Sequence, residues 1–345
     1  LRIKHLLKTF WGSLKDDVVT QKPEITNKMN VPDKFKPMNL SGVKTYSLSE
    51  RKSKVSADDF AKVWRKGSSY RTFLNNLPDI LAGSQLKQLI SAIVKARLNE
   101  RTIIFGMGAH VIKVGLNPIV INLMERGIIT GVAMNGAGIV HDLELAMIGR
   151  TSEDVAPALQ NGSFGMARET CAFLCEAVMA IRDSTMGLGQ AVGRSIIEKQ
   201  LPLRDKSILA TGARLGIPIT VHVAIGTDII HMHPGFDPSK TGVATHNDFR
   251  RFASMVATLE KGVYLNVGSA VILPEIFLKA ATLVRNLGYT LTEFTTANLD
   301  FIRHYRPLTN VVGRPTADGG QGINLVGHHE ILLPLIAAGV IEQLD

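Results

Sequence analysis

The sequence predicts a large α/β domain built on a mostly parallel sheet flanked by helices, and three observations carry that expectation. Short runs that are apolar on both faces alternate with stretches of helical period, as buried parallel strands and their crossover helices do. Two of these runs end in small-residue turns that open directly into helices. A composition of 45% hydrophobic and 20% charged residues over 345 positions supplies a large core and carries no mark of disorder.

Residues 1 to 54 are polar, hold Pro23, Pro32 and Pro37, and show no sustained period, so they read as an extension preceding a domain over 55 to 345. The extension has 12 Lys and Arg against 5 Asp and Glu, which is most of the net charge of +9. The body is therefore nearly neutral, and no nucleic-acid partner is expected. The opening LRIKHLLKTFWGSL mixes basic and apolar residues at helical spacing; a leader, or a helix docked on a neighbouring subunit, is expected ahead of a targeting or membrane-surface role. No run approaches the ~18 apolar residues of a membrane span, so the expectation is a soluble, cytoplasmic protein without a membrane partner.

Ser56, followed by Asp58 and Asp59, is expected to start a helix carrying Phe60, Val63 and Trp64. A second helix runs from about Ser84 to Leu98, with Leu86, Leu89, Ile90 and Ile93 spaced by three and four. Strands are then expected at 102 to 106, 129 to 134, 206 to 212, 217 to 224 and 263 to 273. Cys171 and Cys175, four apart in one helix, are too few and too close for a disulfide framework or a zinc site and read as apolar fillers.

In TIIFGMGAH, Gly106 and Gly108 at a strand-to-helix turn, with Ala109 and His110 entering the helix, let the backbone approach a phosphate-bearing ligand. The third glycine of the usual dinucleotide fingerprint is missing, and a merely tight turn is the alternative reading. One βαβ step later, Asn135, Gly136, Ala137 and Gly138 form a second such turn, which adjacent parallel strands bring beside the first. His141 and Asp142 follow in the helix, Asp142 either facing the crevice or capping the helix. GLGQAVG at 187 to 193 mimics a glycine fingerprint, but no strand precedes it. His222, His231 and His233 surround Asp228, and His328, His329 and Glu330 cluster near the end. Their spacing matches no metal-ligand pattern, so they read as polar groups at strand ends, and no metal is assigned. No nucleophile elbow, P-loop or kinase signature occurs.

From about residue 84 onward the order and spacing of these blocks resemble deoxyhypusine synthase, which oxidises spermidine with NAD and passes the aminobutyl group through an enzyme lysine to a lysine of a translation factor. FGMGAH, NGAGIVHDL, KSILATGARLGIPI, GTDII, NVGSAVILPEIFLKAATLVRNLG and HHEILLPLIAAGV carry the resemblance, with KSILATGARLGIPI standing where the family has a helix feeding a strand. It implies a Rossmann-like sheet, a homotetramer with dinucleotide sites between subunits, and NAD held by Gly106, Gly108, Ala109, His110, Asn135, Gly136, Ala137 and Gly138, with Asp300 reaching an adenosine hydroxyl. Asp228 matches an acid that faces the polyamine. Where the family has its nucleophilic lysine this chain reads GRPTADGGQGINL, with Gln321 and Gly322, and Val140 or His141 replaces one polyamine-binding acid. Lys279 matches a family lysine, but the histidine after it is Ala280 here. The expected chemistry is NAD-dependent turnover of a small molecule other than spermidine, with His141, Asp228 and Lys279 as catalytic groups and His222, Arg303 and Asp318 toward the substrate. A non-catalytic NAD-binding or regulatory protein, or an aminobutyl transferase with a relocated lysine, are the alternatives.

Overall fold

The computed structural model describes residues 35–344; the opening segment singled out above lies outside them. The chain divides between Lys54 and Val55. In the first unit a short 3-10 turn at Leu48–Glu50 is capped by the Ser47 hydroxyl.

The second unit runs α1 (Tyr70–Asn76), α2 (Leu81–Leu98), β1 (Ile103–Met107), α3 (His110–Lys113), α4 (Asn117–Glu125), β2 (Gly131–Asn135), α5 (Gly136–Ile148), α6 (Val155–Gln160) and α7 (Arg168–Met179). It continues with α8 (Leu188–Glu198), α9 (Ile208–Leu215), β3 (Ile219–His222), α10 (Pro238–Ala257), β4 (Val263–Val267), α11 (Ile272–Asn286), β5 (Thr295–Asp300), α12 (Tyr305–Pro307), β6 (Gln321–Val326) and α13 (His329–Leu344). The six strands are all parallel, in the order β3-β2-β1-β4-β5-β6. The order reverses between β1 and β4, and in open α/β sheets such a switch point is where a ligand crevice opens at the carboxyl ends of the strands.

Strands β1 to β4 are short and largely apolar on both sides because helices cover both faces. On one face Phe105, Met107, Val132 and Met134 pack with Ile90 of α2, Ile139 and Leu143 of α5, Val192 of α8 and Ile336 of α13. On the other, Ile104, Ala133 and Tyr264 pack with Phe252 of α10 and Phe277 of α11. Tyr264 and Phe277 are stacked with centroids 3.9 Å apart. No helix among the described residues is long and apolar enough to cross a membrane.

Three expectations are corrected. The segment 206 to 212 is not a strand: Ser207 caps a helix by accepting from the Ala210 N–H, and Ile208–Leu215 is helical. The helix expected from Ser56 is a single 3-10 turn, Ala57–Asp59, closed by a Ser56/Asp59 capping box; Phe60, Val63 and Trp64 lie beyond it and are exposed. Finally, β5 and β6 belong to the sheet although neither has an apolar run. Their Asn298 and Asn324 share a register row with Asn266 of β4 and form a buried amide ladder, Asn266 Nδ2 donating to Asn298 Oδ1 (2.8 Å) and Asn298 Nδ2 to Asn324 Oδ1 (2.9 Å). Hydrogen bonding from strand to strand lets polar side chains occupy core positions. The glycines of GLGQAVG serve packing: α8 lies so close to β3 that a Cβ at Gly189 would fall 2.1 Å from the Ile219 carbonyl oxygen.

Candidate functional site

The carboxyl edge of the sheet collects two groups of polar side chains. The first surrounds the switch point. The turn after β1 is pressed against the turn after β4: the Gly108 N–H donates to the Val267 carbonyl at 2.9 Å, and a Cβ at Gly108 would lie 2.2 Å from the Gly268 oxygen. Gly268 has φ +67°, and a Cβ there would meet the His329 ring at 2.8 Å. His329, at the start of α13, is buried, with Nε2 bonded to the Leu299 carbonyl at 3.1 Å. A carbonyl only accepts, so Nε2 carries the proton and Nδ1 is an acceptor; that Nδ1 is buried without a partner. His110 sits beside it with ring centroids 5.4 Å apart, and Phe301 and His328 stack nearby. Asp300 closes β5 as a buried carboxylate that accepts from the Phe301 N–H at 2.8 Å and faces the His304 Nε2 at 3.9 Å. Desolvation, then neighbouring His329, lowers the His110 pKa.

The second group lies at the ends of β2 and β3. Asn135 caps α5 by accepting from the Gly138 N–H at 3.1 Å, leaving the Gly136 and Ala137 N–H groups without intrahelical partners. The space a Cβ at Gly136 would fill is held by the Asp228 carboxylate, 2.2 Å from that point. Asp228 also accepts from the Ala224 N–H at 3.0 Å, and burial raises its pKa. His141 lies farther along α5, half-buried, with Nδ1 2.6 Å from the Thr151 hydroxyl. The parallel register of β1 and β2 places the start of α5 at the same edge as the β1 turn.

Of the other expected site residues, only Arg303 is exposed at this edge. His222 is sealed beneath α10 against Phe252, its Nε2 3.0 Å from the Thr220 hydroxyl, and burial lowers its pKa to about 3, so it is a neutral core residue. Lys279 is on α11, ion-paired with Glu275 and largely exposed. That helix covers the sheet face opposite to α5, so Lys279 is not brought to His141 and Asp228. Asp318 is exposed just before β6, at the amino edge of the sheet, as is Gln321, which bonds Gln88. A groove of about 950 Å³ lined by Lys87, Lys95, Arg101 and Lys261 occupies that opposite edge. Arg303 is exposed in the loop after β5, on the carboxyl edge. Asp142 faces no crevice; it caps α9 rather than its own helix. Among the described residues no cluster of three His, Cys, Asp or Glu is placed to hold a metal ion. His329 was visible in the sequence only as half of a histidine pair; its place in this group follows from its packing against Gly268 and His110.

No protein-family model and no curated protein matches the chain. Among solved structures it is similar to a candidate deoxyhypusine synthase from Entamoeba histolytica, with TM-score 0.50 and 13% identity over 83% of this chain and 97% of that one. It is similar also to unliganded AgrE, with TM-score 0.50 and 14% identity over 75% of this chain and 32% of that one. ArgZ, an arginine dihydrolase of the cyanobacterial ornithine-ammonia cycle, aligns with TM-score 0.47 and 13% identity over 75% of this chain and 31% of its own. The chain thus spans about a third of the length of AgrE and ArgZ. The likeness establishes the fold, a deoxyhypusine synthase-like parallel sheet.

Proposed function

We propose that the chain is an NAD-binding enzyme that oxidises or reduces a small molecule other than spermidine at the carboxyl edge of its sheet. The observation that carries this reading is the strand-order reversal between β1 and β4, where Gly108, His110, Asp300 and the unpartnered Nδ1 of His329 converge. The residues present fit a dinucleotide by their donors and acceptors: Asp300 offers an acceptor for a sugar hydroxyl, the unpartnered His329 Nδ1 is a second acceptor just beneath the surface, and the partly exposed Ala109 and His110 at the β1 turn offer approach to phosphate. NAD, when bound, supplies hydride acceptance or donation. Asp228, already facing the first turn of α5, makes that end of the crevice unfavourable for phosphate and suited to a cationic or neutral substrate group.

The aminobutyl-transferase alternative loses support, because Lys279 is paired and on the opposite face. A protein that binds NAD without turnover is distinguished by the absence of NADH formation with any candidate substrate.

Calorimetric titration tests the cofactor. The expected result is NAD binding by the wild type and at least a tenfold weaker affinity for folded Asp300→Ala, because losing a hydrogen bond to a charged group removes ~1.5 kcal/mol or more. Equal affinities would remove Asp300 from the site. The resemblance further suggests a symmetric homo-oligomer, with a tetramer expected and the crevice completed by a second copy. Light scattering at micromolar protein checks this, and a monomer that binds NAD fully would contradict it.

A further inference from the structure

We propose that Thr151 and Glu144 are positioning residues that hold His141 as its Nδ1–H tautomer, leaving Nε2 as the proton acceptor for the substrate. The inference rests on the reading of the carboxyl edge as the reaction site, and deepens it by assigning the base and its support.

The chain of contacts fixes the tautomer. α5 ends at Gly149 with φ +70°, and this left-handed turn brings Thr151 back beside the helix it has just left. The Thr151 hydroxyl has one proton, which it donates to Glu144 Oε2 at 2.5 Å. Its 2.6 Å contact with His141 Nδ1 must then be an accepted bond, so Nδ1 carries hydrogen and Nε2 holds the lone pair. Glu144 is itself held: its other carboxylate oxygen accepts from the buried Thr170 hydroxyl of α7 at 3.1 Å. Nε2 bonds no described residue and is not fully buried, the His141 side chain being 17% exposed.

The groups around the ring suit a neutral base. Burial favours the uncharged imidazole, Glu144 on the same helix opposes it, and Lys113 of α3 adds a smaller push toward the uncharged form. Cys171 of α7 lies near Glu144, with its thiol pushed up by burial and so uncharged. With a dinucleotide held at the switch point as hydride acceptor, His141 Nε2 would take the proton of the substrate O–H or N–H whose carbon is oxidised. An alcohol becomes a carbonyl, or an amine an imine, with two electrons transferred. Proton uptake makes imidazolium, Nδ1–H stays on Thr151, and the Glu144 carboxylate, 3.9 Å from Nδ1, offsets the new charge without taking a proton.

The test is ¹⁵N NMR of histidine-labelled protein, with His141 assigned by its loss in His141→Gln and folding of each variant checked by near-ultraviolet circular dichroism. The wild type is expected to show a protonated Nδ1 and an unprotonated Nε2 at neutral pH. Thr151→Val should move both shifts toward the average of exchanging tautomers, and Thr151→Ser should restore them. Glu144→Gln should lower the His141 pKa below the wild-type value. A protonated Nε2 in the wild type, or unchanged shifts in folded Thr151→Val, overturns the proposal. Loss of NAD binding in calorimetry with the Nδ1–H tautomer intact would instead overturn the cofactor reading alone.

Discussion

Asp142→Ala is expected to destabilise the fold by about 3–5 kcal/mol, the range for removing one partner of a buried, charge-assisted network. Asp142 is fully buried on α5 and accepts four bonds, from the Ser207 hydroxyl (2.5 Å), the Ile208 and Leu209 N–H groups (2.9 and 3.0 Å) and Asn117 Nδ2 (3.0 Å). It caps α9 from a helix more than sixty residues earlier and ties α4, α5 and α9 together on one face of the sheet. Asn117 keeps a second acceptor in the Lys206 carbonyl, whereas the two α9 N–H groups would be left in the core without one. Burial raises the Asp142 pKa and the four donors pull it down, with burial the larger influence. Urea denaturation reads the loss, and a decrease below about 1 kcal/mol would mean that water or a neighbour replaces the carboxylate.

Gly108→Ala is expected to remove about 2–3 kcal/mol, the upper end of overpacking penalties, and to weaken NAD binding at least tenfold. The new Cβ would lie 2.2 Å from the Gly268 oxygen and 2.9 Å from its carbonyl carbon. Backbone cannot rotate aside as a side chain can, so the turns after β1 and β4 must separate where the crevice begins. Gly136→Ala provides the contrast, because its Cβ would meet the Asp228 side chain, which can swing away. The smaller melting-temperature loss should therefore belong to Gly136→Ala. A Gly108→Ala variant with the wild-type melting temperature and affinity would show that the two turns are not in contact.

The strands that were legible in the sequence were those with apolar runs, β1 to β4, because a strand buried on both faces must be apolar unless something else satisfies it. β5 and β6 were hidden by that exception: TTANLD and QGINLV place asparagines in a core row, and only pairing with Asn266 makes this tolerable. The run at 206 to 212 is ambiguous by composition, since a short apolar stretch suits a buried helix as well as a strand, and Ser207 as a cap decides it. In the site, the two small-residue turns were readable because their chemistry is local. The partners of those turns were not. That Asp228 fills the space beside Gly136, that Gly268 and His329 close over Gly108, and that Thr151 and Glu144 hold His141 all depend on crossings between distant segments. Lys279 shows the converse: its position along the chain matches a lysine of the family the sequence resembles, but its helix covers the other face.

Hydrogen exchange with and without saturating NAD tests the central claim most directly, because it locates the ligand rather than merely detecting it. NAD is expected to slow exchange in peptides covering 106–113, 135–142, 299–304 and 327–331, which meet at the carboxyl edge, and to leave 79–101 and 319–322 unchanged. Protection confined to the groove at the amino edge, around Lys87, Lys95 and Gln321, or no protection at saturation, would contradict the account.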